Sequence, residues 1–161
     1  MKSLRIEALT IAAFAPFGDV IAAAAATQTF TINAGTCLRF HDLAHIDCEA
    51  EGGRAGISLF QASPCELPFD VTMLERHPLG TQAFIPRSHA PYLVVVAESP
   101  STPPRAFLAR DGMGVNYRRG TWHHPLIALE VPSEFVVIDR IGSGDNCDEV
   151  MLEQRWQLER I

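Results

Sequence analysis

Short apolar runs, separated at fairly even intervals by proline, glycine and serine, predict an all-β fold with few and short helices. Many short strands with turn signals between them point to a sandwich or a barrel. The one clear helix start is Thr10, placed to cap a turn through Ile11, Ala12, Ala13 and Phe14, with Gly18 positioned to end it. Strands are then expected over residues 29–32, 37–41, 56–61, 69–77, 83–85, 92–97, 105–109, 126–131 and 135–139. The run Ser99-Pro100-Ser101-Thr102-Pro103-Pro104 is a surface connection rather than a domain linker, because the strands on either side are too short to fold alone. No internal repeat is visible.

A chain of 161 residues is expected to form a single domain over 1–161 with a core of its own. Its 47% apolar and 20% charged residues are ordinary for a soluble protein, and no apolar run approaches the roughly eighteen residues of a membrane span. The start of the chain alternates apolar with polar through Leu4-Arg5-Ile6-Glu7, and the alanine run 22–26 is too short for a secretory signal. Cys37, Cys48, Cys65 and Cys147 lack metal-binding or redox spacing, so reduced, largely buried thiols in the cytoplasm are expected. A net charge of -6 disfavours nucleic acid as a partner. If the substrate is a small anion, an arginine beside the site must hold it, since the protein's overall charge repels it. No glycine-rich loop offers a place for a nucleotide, nicotinamide or flavin.

The chemistry concentrates in Glu75-Arg76-His77-Pro78-Leu79-Gly80-Thr81-Gln82-Ala83-Phe84-Ile85-Pro86. Side chains alternate along a strand, so Glu75 and His77 share one face, and the Pro78-Leu79-Gly80-Thr81 turn brings Gln82 and Phe84 back beside them. A carboxylate after Val71-Thr72-Met73-Leu74 is costly to bury without a cation, a metal or a hydrogen-bond network. Gly120-Thr121-Trp122-His123-His124-Pro125 supplies a partner; only one of the two adjacent histidines faces inward if the segment is extended. A lone histidine is more often a hydrogen-bonded core residue than a ligand, and it is the company of Glu75 that shifts the balance. Arg39 and His41 lie on one side of the strand 37–41, with Asn33 just upstream. Arg39 either pairs with Asp42 or Asp139, or serves as a planar clamp for a carboxylate, a role for which Arg140 competes. His45 and His89 read as loop residues.

These two segments resemble the paired motifs of the cupin superfamily, in which a His-x-His with a following glutamate and a later Gly-x-x-His surround a divalent metal. By position Glu75 stands for the first histidine, His77 for the second, Gln82 for the glutamate and His123 for the last. The resemblance therefore implies a jelly-roll barrel and a metal set of Glu75, His77, Gln82 and His123, with neutral Gln82 a weaker donor than the glutamate it replaces. Read whole, the twelve residues from Glu75, with Gly114-Val115-Asn116-Tyr117, Trp122-His123-His124-Pro125-Leu126, Asp139-Arg140 and Asp145-Asn146-Cys147-Asp148, are similar to the ureidoglycolate lyase family. Phe40-His41-Asp42-Leu43-Ala44 and Phe14-Ala15-Pro16-Phe17-Gly18-Asp19-Val20-Ile21 extend the similarity towards the N-terminus.

That resemblance implies a lyase that splits ureidoglycolate into glyoxylate and urea in allantoin and purine nitrogen breakdown, and one member suggests nickel. It implies Glu75, His77 and His123 as catalytic residues, with Asn33, Arg39, His41, Gln82, Phe84, Tyr117 and Arg140 around the substrate. The reaction needs a base for the substrate hydroxyl, Glu75 or His77, and an acid for the departing nitrogen, for which His123 is the candidate. Three rivals remain at this level: a hydrolase on the same substrate that releases ammonia and carbon dioxide, a cupin that binds a small carboxylate without turnover, and a sugar epimerase or isomerase. Open jelly rolls pair through exposed strands, so a homodimer is expected.

Overall fold

The computed structural model describes residues 1–159. Along them run β1 (Lys2–Leu4), β2 (Ile6–Ala8), the helix α1 (Ile11–Phe14), β3 (Gly18–Ile21), β4 (Gln28–Ile32), β5 (Cys37–His41), β6 (Arg54–Ala62) and β7 (Phe69–Arg76). Then come β8 (Gln82–Pro86), β9 (Tyr92–Ala97), β10 (Arg105–Ala109), β11 (Gly114–Tyr117), β12 (Trp122–His123), β13 (Ile127–Ala128), β14 (Ser133–Ile141) and β15 (Asp148–Leu158). One sheet has the order β1-β15-β7-β12-β9-β10-β2, with β13 also on β9. A second has the order β3-β11-β8-β14-β6, and β4 with β5 forms a separate hairpin. The two large sheets make a nearly closed barrel of the jelly-roll kind that the resemblance implies.

β9 explains why the chain folds this way. Tyr92, Val94 and Val96 face the interior between the sheets with Phe14, Phe84, Phe107, Tyr117 and Phe135, whereas Leu93 and Val95 pack on the other side with Val71, Ile127 and Leu158. A strand buried on both faces reads as an unbroken apolar run rather than as an alternation. Gly18 brings β3 against β11 so closely that a Cβ there would lie 1.9 Å from the Asn116 carbonyl oxygen. Only glycine permits that approach, at φ +155°.

Several expectations are corrected. Thr10 does cap α1, its Oγ1 accepting from the Ala13 amide at 3.2 Å. Gly18, however, opens β3 instead of closing the helix, which unwinds through Ala15 and a Phe17-to-Phe14 amide bond of 2.8 Å. Only Ile127–Ala128 of the expected 126–131 strand is extended in a sheet, because Glu130 turns with φ +65° and Val131 bonds back to Leu129. All four cysteines are free thiols, but Cys37 and Cys147 are exposed and only Cys48 is fully buried.

Candidate active site

β7 and β12 are neighbours in register, with His123 directly opposite Glu75. His77 follows β7 by one residue and remains on the Glu75 side. The three polar ends therefore converge: His123 Nε2 lies 3.3 Å and His77 Nε2 3.9 Å from the same oxygen, Glu75 Oε1. The 3.3 Å approach is a close polar contact that lacks the alignment of a good hydrogen bond.

Main-chain carbonyls fix both rings. His123 Nδ1 donates to the Thr121 carbonyl at 2.9 Å, and His77 Nδ1 to the Asn146 carbonyl at 2.7 Å. A carbonyl only accepts, so each Nδ1 carries its hydrogen and each Nε2 is the nitrogen presented to Glu75. The turn after His77 is held in turn: Asn146 Oδ1 accepts from the Leu79 amide at 2.7 Å, and the His77 carbonyl accepts from the Gly120 amide at 2.9 Å. Tyr117 stacks flat on His123 with ring centroids 4.2 Å apart and planes 14° from parallel. Its hydroxyl stays protonated because burial, reinforced by the Glu75 charge, pushes its pKa up. Glu75 behaves oppositely: His123 beside it holds its carboxyl below the usual range despite burial, with further help from His77 and His124. At neutral pH the cluster thus centres on a carboxylate.

Gln82 enters from the other sheet, its register partners being Tyr117 on β11 and Asp139 on β14. Its amide nitrogen donates to Asp139 Oδ2 at 3.2 Å, which leaves Oε1 buried without a partner. His77 Nε2 and His123 Nε2 are also buried without a hydrogen-bond partner. Glu75, His77 and His123 offer donor atoms within 4.8 Å of one another, a set able to hold a divalent metal. Phe84, on the same side of β8 as Gln82, lies edge-on to Tyr117, Phe60 and Phe135.

The remaining sequence candidates lie elsewhere. Arg140 is buried and donates to the Ala50, Glu51 and Ser143 carbonyls, so its guanidinium fastens loops. Asn33, with φ +53°, sits in the turn of the β4–β5 hairpin, and Arg39 and His41 are on β5. Arg39 is exposed and, among the described residues, makes no ion pair; neither Asp42 nor Asp139 reaches it. Cys147 was not among the sequence candidates. Its thiol and the Glu149 carboxylate form a second group with Glu75, again within 4.8 Å, and burial with the nearby carboxylates pushes the thiol pKa up. Asp139, Thr121 and Asn146 were likewise missed as supports; Thr121 and Asn146 hold the two imidazoles through main-chain carbonyls, which leave no trace in residue type, although the Asn146 side chain also holds Leu79.

Comparison with known proteins follows the same outline. The ureidoglycolate lyase family model matches residues 1–159. The ureidoglycolate lyase of Burkholderia mallei (strain NCTC 10229) is 56% identical over 160 residues, which is 97% of this chain and 94% of that protein. The one from Burkholderia cepacia is 54% identical, over 97% of this chain and 90% of its own length. That of Pseudomonas aeruginosa (strain LESB58) is 49% identical, covering 98% and 95%. Among solved structures, a 3,4-ketoisomerase from Helicobacter canadensis aligns with a TM-score of 0.44 at 11% identity over 75% of this chain and 84% of its own. With near-complete coverage at about half identity, and with Glu75, His77 and His123 brought together by the fold, the chain belongs to the ureidoglycolate lyase family.

Proposed function

We propose that the protein cleaves ureidoglycolate to glyoxylate and urea, in the breakdown of allantoin and purine nitrogen. The carrying observation is the meeting of Glu75 with His77 and His123, each ring held by a main-chain carbonyl so that Nε2 faces the carboxylate. Ureidoglycolate is a carbinolamine bearing a carboxylate. Its cleavage removes the hydroxyl proton, turns the carbon-oxygen bond into a carbonyl, and sends the carbon-nitrogen electron pair to the departing nitrogen, which takes up a proton. Glu75, held ionised, is suited to accept the hydroxyl proton. His123 is suited to deliver one to nitrogen, since its Nδ1 hydrogen is committed to Thr121 and its Nε2 is the atom that faces the cluster. Tyr117 and Phe84 are buried and pack on each other beside this cluster.

The unpartnered Nε2 atoms of His77 and His123 and the Gln82 Oε1 favour a second reading of the same cavity. Glu75, His77 and His123, with Gln82 as a neutral fourth donor, would hold a divalent ion, nickel on the family resemblance. Such an ion, when bound, acidifies a substrate hydroxyl and stabilises negative charge on its oxygen. Metal analysis before and after chelation, with turnover followed alongside, distinguishes the two readings. Four free thiols support a reducing, cytoplasmic location for a single domain that works as a homodimer.

The deciding experiment is incubation of the purified protein with racemic ureidoglycolate while urea, glyoxylate and ammonia are each measured. Urea and glyoxylate are expected in equal amounts with no enzyme-dependent ammonia. Ammonia rising in step with glyoxylate would make the protein a hydrolase instead.

A further inference from the structure

Among the described residues the β4–β5 hairpin has no third strand and β6 is open along one edge, so each has what the other needs. A two-stranded hairpin alone is marginal in water and is ordinarily covered on one face. Here both faces carry exposed apolar side chains. Cross-strand partners share a face, which puts Phe30, Ile32 and Arg39 on one side and Leu38 and Phe40 on the other. β6 is paired only with β14, and its outer edge has free backbone donors and acceptors along nine residues. It holds no proline and one charge, Arg54, with Ile57 76% and Leu59 57% exposed. Edge strands of this length and polarity are normally protected by charge, proline or a bulge.

Among the described residues, Arg76 is paired with Asp148, Arg119 with Asp47, and Arg140 with carbonyls, whereas Arg39 on the hairpin makes no ion pair and is free to grip a substrate carboxylate. We propose that two copies of the chain exchange hairpins. The β4–β5 hairpin of one protomer lies along β6 of its partner, extends the partner's five-stranded sheet, and directs Arg39 into the partner's cavity to hold the substrate carboxylate. An added strand beside β6 stands two strand spacings, about 10 Å, from β14, whose Asp139 holds Gln82 inside the barrel; an extended arginine covers most of that distance. The Glu75 charge attracts Arg39, and neither β6 nor the hairpin carries an acidic residue to oppose the pairing. The exchange is mutual, so one contact satisfies both copies and closes as a dimer.

The assignment of Arg39 rests on the lyase reading; the exchange itself does not, and the test separates them. Arg39→Ala and Glu75→Gln chains, each at least tenfold lower in kcat/KM, are mixed one to one after reversible dissociation. In hairpin-exchanged heterodimers one of two sites has both groups, so kcat/KM returns to about a quarter of wild type. Recovery no higher than the parents overturns delivery of Arg39 to the partner. Hydrogen exchange reads the pairing without substrate: amides of residues 54–62 that point away from β14 are expected to be protected in wild type and to exchange at least about a hundredfold faster in the Leu38→Glu/Phe40→Glu variant. That variant is also expected to fall to the 17.7 kDa of one chain by light scattering, from twice that value. Wild-type protein that is monomeric, or whose outward β6 amides exchange freely, overturns the exchange whatever the reaction proves to be.

Discussion

The β7–β12 pair and the β4–β5 hairpin both present charged and imidazole groups, yet the chain treats them in opposite ways. On β7 and β12, Glu75, His77 and His123 are fixed by register, by the Thr121 and Asn146 carbonyls and by the flat stack of Tyr117. On the hairpin, among the described residues, Arg39 makes no ion pair and the Nδ1 of His41 is buried without a partner beside Phe30. Proton-transfer groups need their geometry set before substrate arrives, since small misplacements are costly to rate. A carboxylate grip tolerates a longer reach, because an arginine fork retains its shape wherever it is delivered. The contrast separates what one chain builds alone from what it leaves for association.

The strongest way to break this contrast is to empty the rigid cluster. Glu75→Ala, His77→Ala and His123→Ala are each expected to lose at least about a hundredfold in turnover, the scale of removing a general acid or base. Circular dichroism of each variant should match wild type, because the core aromatics and β9 are untouched. Wild-type turnover in all three would remove the cluster from the chemistry while leaving the fold intact.

The two arginines sharpen the contrast at the next level down. Arg140→Ala leaves the Ala50, Glu51 and Ser143 carbonyls without their charged donor, a loss of about 2–3 kcal/mol, or roughly 5–10 °C in Tm for a chain of this size. Arg39→Ala removes no hydrogen bond of this chain, so a monomer would hardly change in Tm. Its effect is expected in catalysis, as a raised KM with a smaller fall in kcat. A large KM effect for Arg140 with none for Arg39 would reverse the assignment.

How far these features were legible in the sequence follows from which contacts leave a mark on residue type. β9 was plain because burial on both faces demands an unbroken apolar run. β15 was missed although Glu149, Glu153 and Arg155 alternate outward against Val150, Leu152 and Trp156: an exposed Met151 and an inward Gln154 blur the alternation, and its pairing with β7 shifts between Met151 and Trp156. β12 is two residues long, too short for any periodicity, yet it places His123. Glu75 and His77 were readable from period-two alternation, and the same rule puts Arg140 and Asp139 on opposite faces of β14. Asp139 faces Gln82, which turns Arg140 to the opposite face, towards its loop carbonyls, whereas the sequence offered Arg140 only as a rival to Arg39 for a carboxylate clamp. That the hairpin stands alone was not readable, because nothing in residues 28–41 says that no third strand joins them among the described residues.

The smallest expected effect tests whether good local geometry is enough when a pair is exposed. Glu7 and Arg105 form a forked pair, Arg105 Nε to Oε1 at 3.1 Å and Nη2 to Oε2 at 2.8 Å, between β2 and β10. Arg105 also donates to the Ala13 carbonyl at 3.1 Å and lies 4.8 Å from the centre of the Phe107 ring. The bond from Arg105, opposed by slight desolvation, lowers the Glu7 pKa below its ordinary 4.5. A depressed carboxylate pKa stabilises the fold at pH above the unfolded value, and that contribution is lost as pH falls through the folded value. Both side chains are about 40% exposed, so water and salt screen the pair and its worth is at most about 1 kcal/mol. Glu7→Gln should therefore lower stability slightly at pH 7 and by progressively less as pH falls below 4.5, as read from urea midpoints across a pH series. A loss that does not shrink with falling pH would mean that Glu7 acts by packing rather than charge, and would place this exposed pair with the built-in contacts of β7 and β12.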